Sequence, residues 1–473
     1  MKWNWIAWVM IGCAGCASTS QPEVPLKRSP NFILMLVDDQ AWNGTSVEML
    51  PGMAESASDF HQTPYLDTLA SLGMRFSNAR AAAPVCAPSR YSIQFGKSPA
   101  RMRMIRVGMD VGHIPHGHWL SIAKLLRDLD SSYMTGHFGK WGMGASPEML
   151  GFDESDGPTK NFDGGFVNDK SQWETVAKED PKKITQVTQR ATAFIDSCAN
   201  NQRPFFLQVS HYAVHSSIEA KQSSLDTMRL LPCGKRHTHL GFAAMTRDLD
   251  ESLGHIMGKL DELNLTDNTY VIYMSDNGGI PNIPGAKKYT QSLNHPLQRG
   301  KWDAMEGGIR VPLVVVGPGV PAGSHSGCSV WGADLLPTIG ALAGSMHCMP
   351  DSLDGGSFSD VLLRGGAEEI DRPCKGMAFH VPYQNKIALN RPHSAWISGG
   401  YKLLYFHDDQ EVRLFALQED LREQHNLAEE LPALAKKMTA ELLGYLSEVR
   451  APRWQNGITW KNAPFHTFES VHQ

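Results

Sequence analysis

The chain has 473 residues, 42% of them hydrophobic and 20% charged, with a formal net charge of −5. This is the composition of a globular protein with a large core and room for more than one structural unit. The mild acidity, without a concentrated basic block, argues against nucleic acid as a partner, so an anionic substrate would need cations placed locally.

The first residues stand apart from the rest. Lys2 precedes an apolar run, Trp3 to Gly15, interrupted only by Asn4. A bilayer span needs about 20 residues, so the run reads as a secretory signal rather than a membrane helix. Ala14-Gly15-Cys16 resembles the end of a bacterial lipobox, with Cys13 where leucine is usual. The expectation is an exported protein, periplasmic or at the cell surface, with membrane contact only through a lipid on Cys16. Gln21 to Pro30 contains three prolines and reads as a tether. This gives a leader and linker over 1–29. The remaining cysteines are Cys86, Cys198, Cys233, Cys328, Cys348 and Cys374. They lack C-x-x-C spacing, which argues against zinc. An oxidising compartment permits disulfides, but no pairing follows from the sequence.

Phe32 to Val37 is a continuous apolar run ending at Asp38-Asp39, as expected of a strand buried on both faces. Thr63-Pro64 predicts a helix start, with Thr63 as N-cap. Trp119–Leu129 and Ile184–Cys198 carry helical periodicity, and Phe205–Val209 reads as a second buried strand. His239–Leu263 is a long amphipathic helix, followed by a strand over Thr269–Met274 that ends at Ser275-Asp276-Asn277-Gly278. Val311–Val316 is a further strand. Alternating strands and helices predict an α/β fold with a mostly parallel sheet sandwiched by helices. Functional groups should then collect beyond the carboxyl ends of the strands. The texture changes near Cys374. Ala395–Ile397 and Tyr401–Phe406 flank a Ser-Gly-Gly turn, Val412–Leu417 is a third strand, and Leu431–Val449 is an amphipathic helix. The expected division is a catalytic domain over 30–375 and a small α+β subdomain over 376–473.

The most informative segment is Cys86-Ala87-Pro88-Ser89-Arg90. Pro88-Ser89 reads as a helix start, which would put Cys86 in the positive field ahead of a helix N-terminus. Asp38, Asp39, Asp276 and Asn277 offer only oxygen donors, which suit hard cations. Arg90, Lys140, His215 and Lys301 are the candidate cations for an anionic transition state.

Cys-x-Pro-Ser-Arg resembles the signature of the formylglycine-dependent sulfatases, in the alkaline-phosphatase-like superfamily. Other segments resemble that family in the same order: Asn31 to Asp39, Gly139-Lys140-Trp141, Tyr212 to His215, Ser275 to Gly278, Gly300-Lys301, Glu306 to Pro312, Asp334 to Thr338 and Glu423 to Leu427. The resemblance implies hydrolysis of sulfate esters, and the export of a bacterial lipoprotein suggests sulfated carbohydrates as the substrate. It implies that a maturation enzyme oxidises Cys86 to formylglycine, whose hydrate attacks sulfur and whose second hydroxyl then releases sulfate. It further implies calcium, with magnesium the other hard cation, at Asp38, Asp39, Asp276 and Asn277 and beside Cys86. Lys140, His215 and Lys301 would bind the sulfate group, with His215 protonating the leaving oxygen and Arg90 steadying the nucleophile.

One position departs from the pattern: Gly142 stands where the family often has a histidine. His137 and His211 are therefore candidate substitutes. His113, His116 and His118 have metal-like spacing, but Pro115 and Gly117 favour a loop at the pocket rim. Two other readings share these residues. A phosphatase or phosphonate hydrolase of the same superfamily would use the same metal framework. A non-catalytic lipoprotein that binds sulfated glycans has only Gly142 in its favour.

Overall fold

The computed structural model describes residues 28–282, 293–345, 349–350, 352–365, 369–384, 391–456 and 466–468. Cys13, Cys16 and Cys348 lie outside the described residues. Eight strands form the central sheet: β1 (Asn31–Val37), β2 (Met74–Phe76), β3 (Met134–Gly139), β4 (Glu154–Ser155), β5 (Phe205–Ser210), β6 (Thr269–Ser275), β7 (Leu313–Val316) and β8 (Ser324–Ser326). Their order is β8-β2-β7-β6-β1-β5-β3-β4. Strand β1 runs parallel to β5 and β6, and β3 runs parallel to β4 and β5; β7 runs antiparallel to β2 and β6. The sheet is thus mixed and mostly parallel, as expected from the alternating pattern.

Helices α1 (Pro64–Leu72), α2 (Cys86–Phe95), α3 (Ile122–Leu129), α4 (Ile184–Asn200), α5 (Leu240–Glu262) and α6 (Leu335–Leu342) cover both faces. Alternation along β1 divides two cores. Phe32, Leu34 and Leu36 pack with Ile93, Leu125 and Leu336; Ile33, Met35 and Val37 pack with Leu66, Phe194 and Leu253. Six fully buried side chains at about 1.5–3 kcal/mol each bring on the order of 10 kcal/mol before chain entropy. That is why this run reads as uniformly apolar.

Three local expectations need correction. Thr63 does not cap α1, because its hydroxyl is engaged with Ser46. The carboxylate of Asp250, on α5, accepts instead from the N–H groups of Tyr65 and Leu66 at 2.9 Å each. The helix expected from Trp119 begins at Ile122, where the Ser121 hydroxyl accepts from the Lys124 N–H. Helix α2 begins at Cys86 itself, two residues ahead of the Pro88-Ser89 start expected.

C-terminal to this body, β9 (Met377–Val381), β10 (His393–Ser398), β11 (Tyr401–Phe406) and β12 (Val412–Ala416) form an antiparallel meander, followed by α7 (Pro432–Glu448). One face, through Phe379, Ile397 and Leu404, packs on Met305, Ile309 and Trp331; the other, through Trp396 and Leu403, packs on Met438 and Leu442. A buried charge network joins the two parts. Lys402 Nζ lies 3.2 Å from Glu306 and 2.7 Å from Glu423, and Arg80 and Arg310 also pair with Glu306. The segment just after Lys301 is thereby fixed to the small sheet. Cys86, Cys198, Cys233 and Cys374 are unbridged. No helix among the described residues is long and apolar enough to cross a membrane.

Candidate active site

Strands β6, β1, β5 and β3 are consecutive parallel neighbours, so their carboxyl ends lie side by side. Asp276-Asn277 follows β6, Asp38-Asp39 follows β1, His211 to His215 follows β5, and Lys140 follows β3. Residues separated by more than 200 positions meet because the sheet register aligns Val37 with Ser275 and Leu36 with Ser210. Lys301 enters from the loop before β7, its N–H bonded to the Gly279 carbonyl at 2.8 Å.

The charges are buried and specifically paired. Lys140 Nζ lies 2.6 Å from Asp38 Oδ2, and Lys301 Nζ lies 2.8 Å from Asp39 Oδ2. Arg90 Nε donates to Asp276 Oδ2 at 2.8 Å, and its Nη1 donates to the Lys140 carbonyl at 2.5 Å. Asn277 Nδ2 donates to Asp39 Oδ1 at 2.8 Å. Burial opposes ionisation of Asp38, but Lys140, His215, Arg90 and Lys301 outweigh it and hold that carboxyl well below its ordinary range. Asp276 is pushed up to about 6, first by burial and then by the neighbouring Asp38. Lys301 is held protonated, since Asp39, Cys86 and Asp38 more than offset its burial.

One carboxylate oxygen from each of Asp38, Asp39 and Asp276 lies within 4.8 Å of the others. Asp38 Oδ1 and Asn277 Oδ1 are buried and have no hydrogen-bond partner. Unsatisfied buried oxygens are costly, and three carboxylates with an amide oxygen form the donor set of a hard cation. The residues present therefore fit a divalent metal, which would also relieve the repulsion between Asp38 and Asp276.

Cys86 is the first residue of α2 and is 4% exposed. Arg90 and Lys301 both lie within electrostatic reach of its sulfur. His215 Nδ1 is 2.6 Å from the Ser216 carbonyl, which fixes the proton on Nδ1. Its Nε2 faces Asn161 Nδ2 at 3.3 Å and Asp39 Oδ2 at 3.8 Å. Burial, and then Lys301, lower its pKa to about 4. The imidazole is therefore neutral with Nε2 as an acceptor, and must take up a proton before it can give one.

A family model described as Sulfatase matches residues 30–345. This chain belongs to the sulfatase family. The N-acetylgalactosamine-6-sulfatase of Sus scrofa is 30% identical over 401 residues, covering 77% of this chain and 71% of its own length. A sulfatase of Formosa agariphila is 25% identical, covering 94% and 93%. Among solved structures, Ps i-CgsB in complex with k-i-k-neocarrahexaose superposes with a TM-score of 0.71 at 26% identity, covering 90% of this chain and 95% of that one. The fold is the alkaline-phosphatase-like one, and the protein is a sulfuric ester hydrolase.

In this sulfatase, Cys86, Arg90, Lys140, His215, Lys301, Asp38, Asp39, Asp276 and Asn277 form one cluster. Two further candidates, His211 and His137, bond to serines. His211 is buried, with Nε2 2.8 Å from Ser252 Oγ on α5. His137 bonds Ser210 Oγ at 3.2 Å and packs edge-on against Trp141 and Phe152. Burial lowers both to about 3, so both are held neutral. The His113-His116-His118 loop forms no metal cluster: His113 bonds the Met102 carbonyl and His118 is exposed. His116 bonds Tyr91 Oη, which accepts from the Gly144 N–H and so steadies the turn that follows Lys140.

Two residues of the site were not singled out from sequence. Thr159 clamps the turn after β3 by accepting the Trp141 N–H on Oγ1 and the Gly142 N–H on its carbonyl, each at 2.9 Å. Asn161 meets His215. Neither sits in a spaced motif; the signal that could have found them is only the polar, glycine-rich loop from Gly157 to Gly165.

Proposed function

We propose that this sulfatase removes sulfate from sulfated carbohydrates outside the cytoplasm, with Cys86 converted to formylglycine by a maturation enzyme. The observation that carries this reading is the convergence of Arg90, Lys140 and Lys301 on buried carboxylates, with unsatisfied oxygens on Asp38 and Asn277, beside a cysteine that opens a helix. Carbohydrate as the substrate class is supported by the relative named N-acetylgalactosamine-6-sulfatase and by the neocarrahexaose complex. Export, with a lipid on Cys16, is supported by the apolar leader and its lipobox-like end.

Asp38, Asp39, Asp276 and Asn277 would hold the metal, which we assign as calcium, with magnesium the alternative hard cation. When present, formylglycine supplies a hydroxyl nucleophile with a second hydroxyl for sulfate release, and the metal supplies charge neutralisation. Lys140 and Lys301 pair with Asp38 and Asp39 and present ammonium groups where charge develops on sulfuryl oxygens. Arg90 anchors Asp276 and the Lys140 carbonyl, which fixes α2 and therefore Cys86. His215 Nε2 is arranged to accept a proton and return it to the leaving alcohol oxygen.

The test compares turnover of 4-nitrophenyl sulfate and 4-nitrophenyl phosphate, followed by sulfate release from N-acetylgalactosamine 6-sulfate and k-i-k-neocarrahexaose. Faster turnover of sulfate and release from a saccharide are expected; far faster phosphate hydrolysis would sink the reading. Mass spectrometry of protein from its native host should find the Cys86 peptide as the aldehyde, and exhaustive chelation should abolish turnover.

A further inference from the structure

We infer that the segment from Asn161 to Phe166 is the saccharide-recognition wall of the site, with Phe162 stacking on a pyranose ring and Asn161 accepting a hydrogen bond from a ring hydroxyl. This rests on the carbohydrate reading above and names the residues that would enforce it.

The segment is held at both ends by the catalytic loops. At one end Thr159 binds Trp141 and Gly142, immediately after Lys140. At the other, the Val167 N–H donates to Ser217 Oγ at 3.1 Å, two residues beyond His215. Between them Gly164 is pressed on Tyr212 so closely that a Cβ would lie 2.1 Å from its ring. The wall is therefore fixed relative to the cluster rather than draped over it.

Two features of this wall have no internal use. Asn161 donates through Nδ2 to His215, but its Oδ1 is buried without a partner. A buried amide oxygen left unsatisfied asks for a donor. The second feature is Phe162, which is 65% exposed. A lone exposed phenylalanine is ordinary. This one continues a row outward from the site, since Phe162 contacts Phe166 at 5.4 Å and Phe166 meets the His215 ring edge-on at 5.0 Å. The alcohol released from a sulfated sugar carries both complements: neighbouring hydroxyls that donate, and an apolar C–H face that covers an aromatic ring. An aryl sulfate carries no hydroxyl donor.

The experiment compares kcat/KM on the two saccharides named above with kcat/KM on 4-nitrophenyl sulfate, for wild type and variants. Phe162→Ala should lower the saccharide-to-aryl ratio about tenfold, mainly through KM, and Phe162→Trp should restore it. Asn161→Ala should lower the ratio by about tenfold or more, and Asn161→Asp, which keeps an acceptor, should recover part of it. Ratios unchanged in both alanine variants, or a fall that neither conservative variant repairs, would overturn the wall. A wild type that cleaves the aryl sulfate but neither saccharide would instead overturn the carbohydrate reading, and the wall with it.

Discussion

Gly142 has φ +70°, and a Cβ there would lie 3.1 Å from Arg90 Cδ and 3.4 Å from Lys140 Cε. The position is thus left-handed and already flanked by the aliphatic stems of two site cations. A histidine cannot simply be returned to it. Gly142→Ala should cost more than about 1 kcal/mol, because L-residues are strained at positive φ. Gly142→His should also lower kcat, since its ring would displace the Arg90 stem and with it the hold on Asp276. Thermal melts and steady-state kinetics check this; a histidine variant with wild-type stability and turnover would show that the turn adapts. The loops around the turn are held instead by Thr159 at Trp141, Asn161 at His215 and Tyr91 with His116 at Gly144.

At the scale of elements, α1 depends on α5 for its cap. Asp250→Ala would leave two N–H groups at the start of α1 without an acceptor, next to the buried Leu66. A loss of about 2–3 kcal/mol in urea unfolding is expected, with Asp250→Asn losing less because its amide oxygen still accepts. A negligible change for Asp250→Ala would mean that water caps the helix. This cap also shows where sequence reading stops. The long strands and helices were legible because each is written in contiguous apolar periodicity. The Asp38-Asp39, Asp276-Asn277 and Lys140 positions were legible because each ends a strand inside an ordered motif. The roles of Thr63, His137 and His211 were not, because each depends on a partner from a distant element: Ser46, Ser210 and Ser252. Asn161 was hidden for the same reason, since its contact arises only when the loop after β4 folds over the end of β5.

Across the whole molecule, folding buries imidazoles in the neutral form. Burial is the main cause that lowers His61, His137 and His211 to about 3, and His380 and His393 to about 4. In the unfolded chain these groups titrate near pH 6.5, so between about pH 3 and 6.5 the unfolded state binds protons that the native state does not. Stability therefore rises with pH through that window and is lost as pH falls through it. Carboxyls raised by burial act in the opposite sense. Burial raises Asp248 to about 6 and Asp250 and Glu423 to about 7, so each holds its proton longer when folded and favours the native state at lower pH. The buried histidines dominate near pH 5, so stability rises with pH there. Urea midpoints at pH 5 and pH 7.5 should differ in that direction. His211→Gln, which can keep a hydrogen bond to Ser252, should flatten the slope by roughly one proton, or about 1.4 kcal/mol per pH unit. A wild type more stable at pH 5 than at pH 7.5 would mean that the carboxyls dominate. An unaltered slope in the glutamine variant would mean that His211 is solvated enough to titrate normally in the folded state.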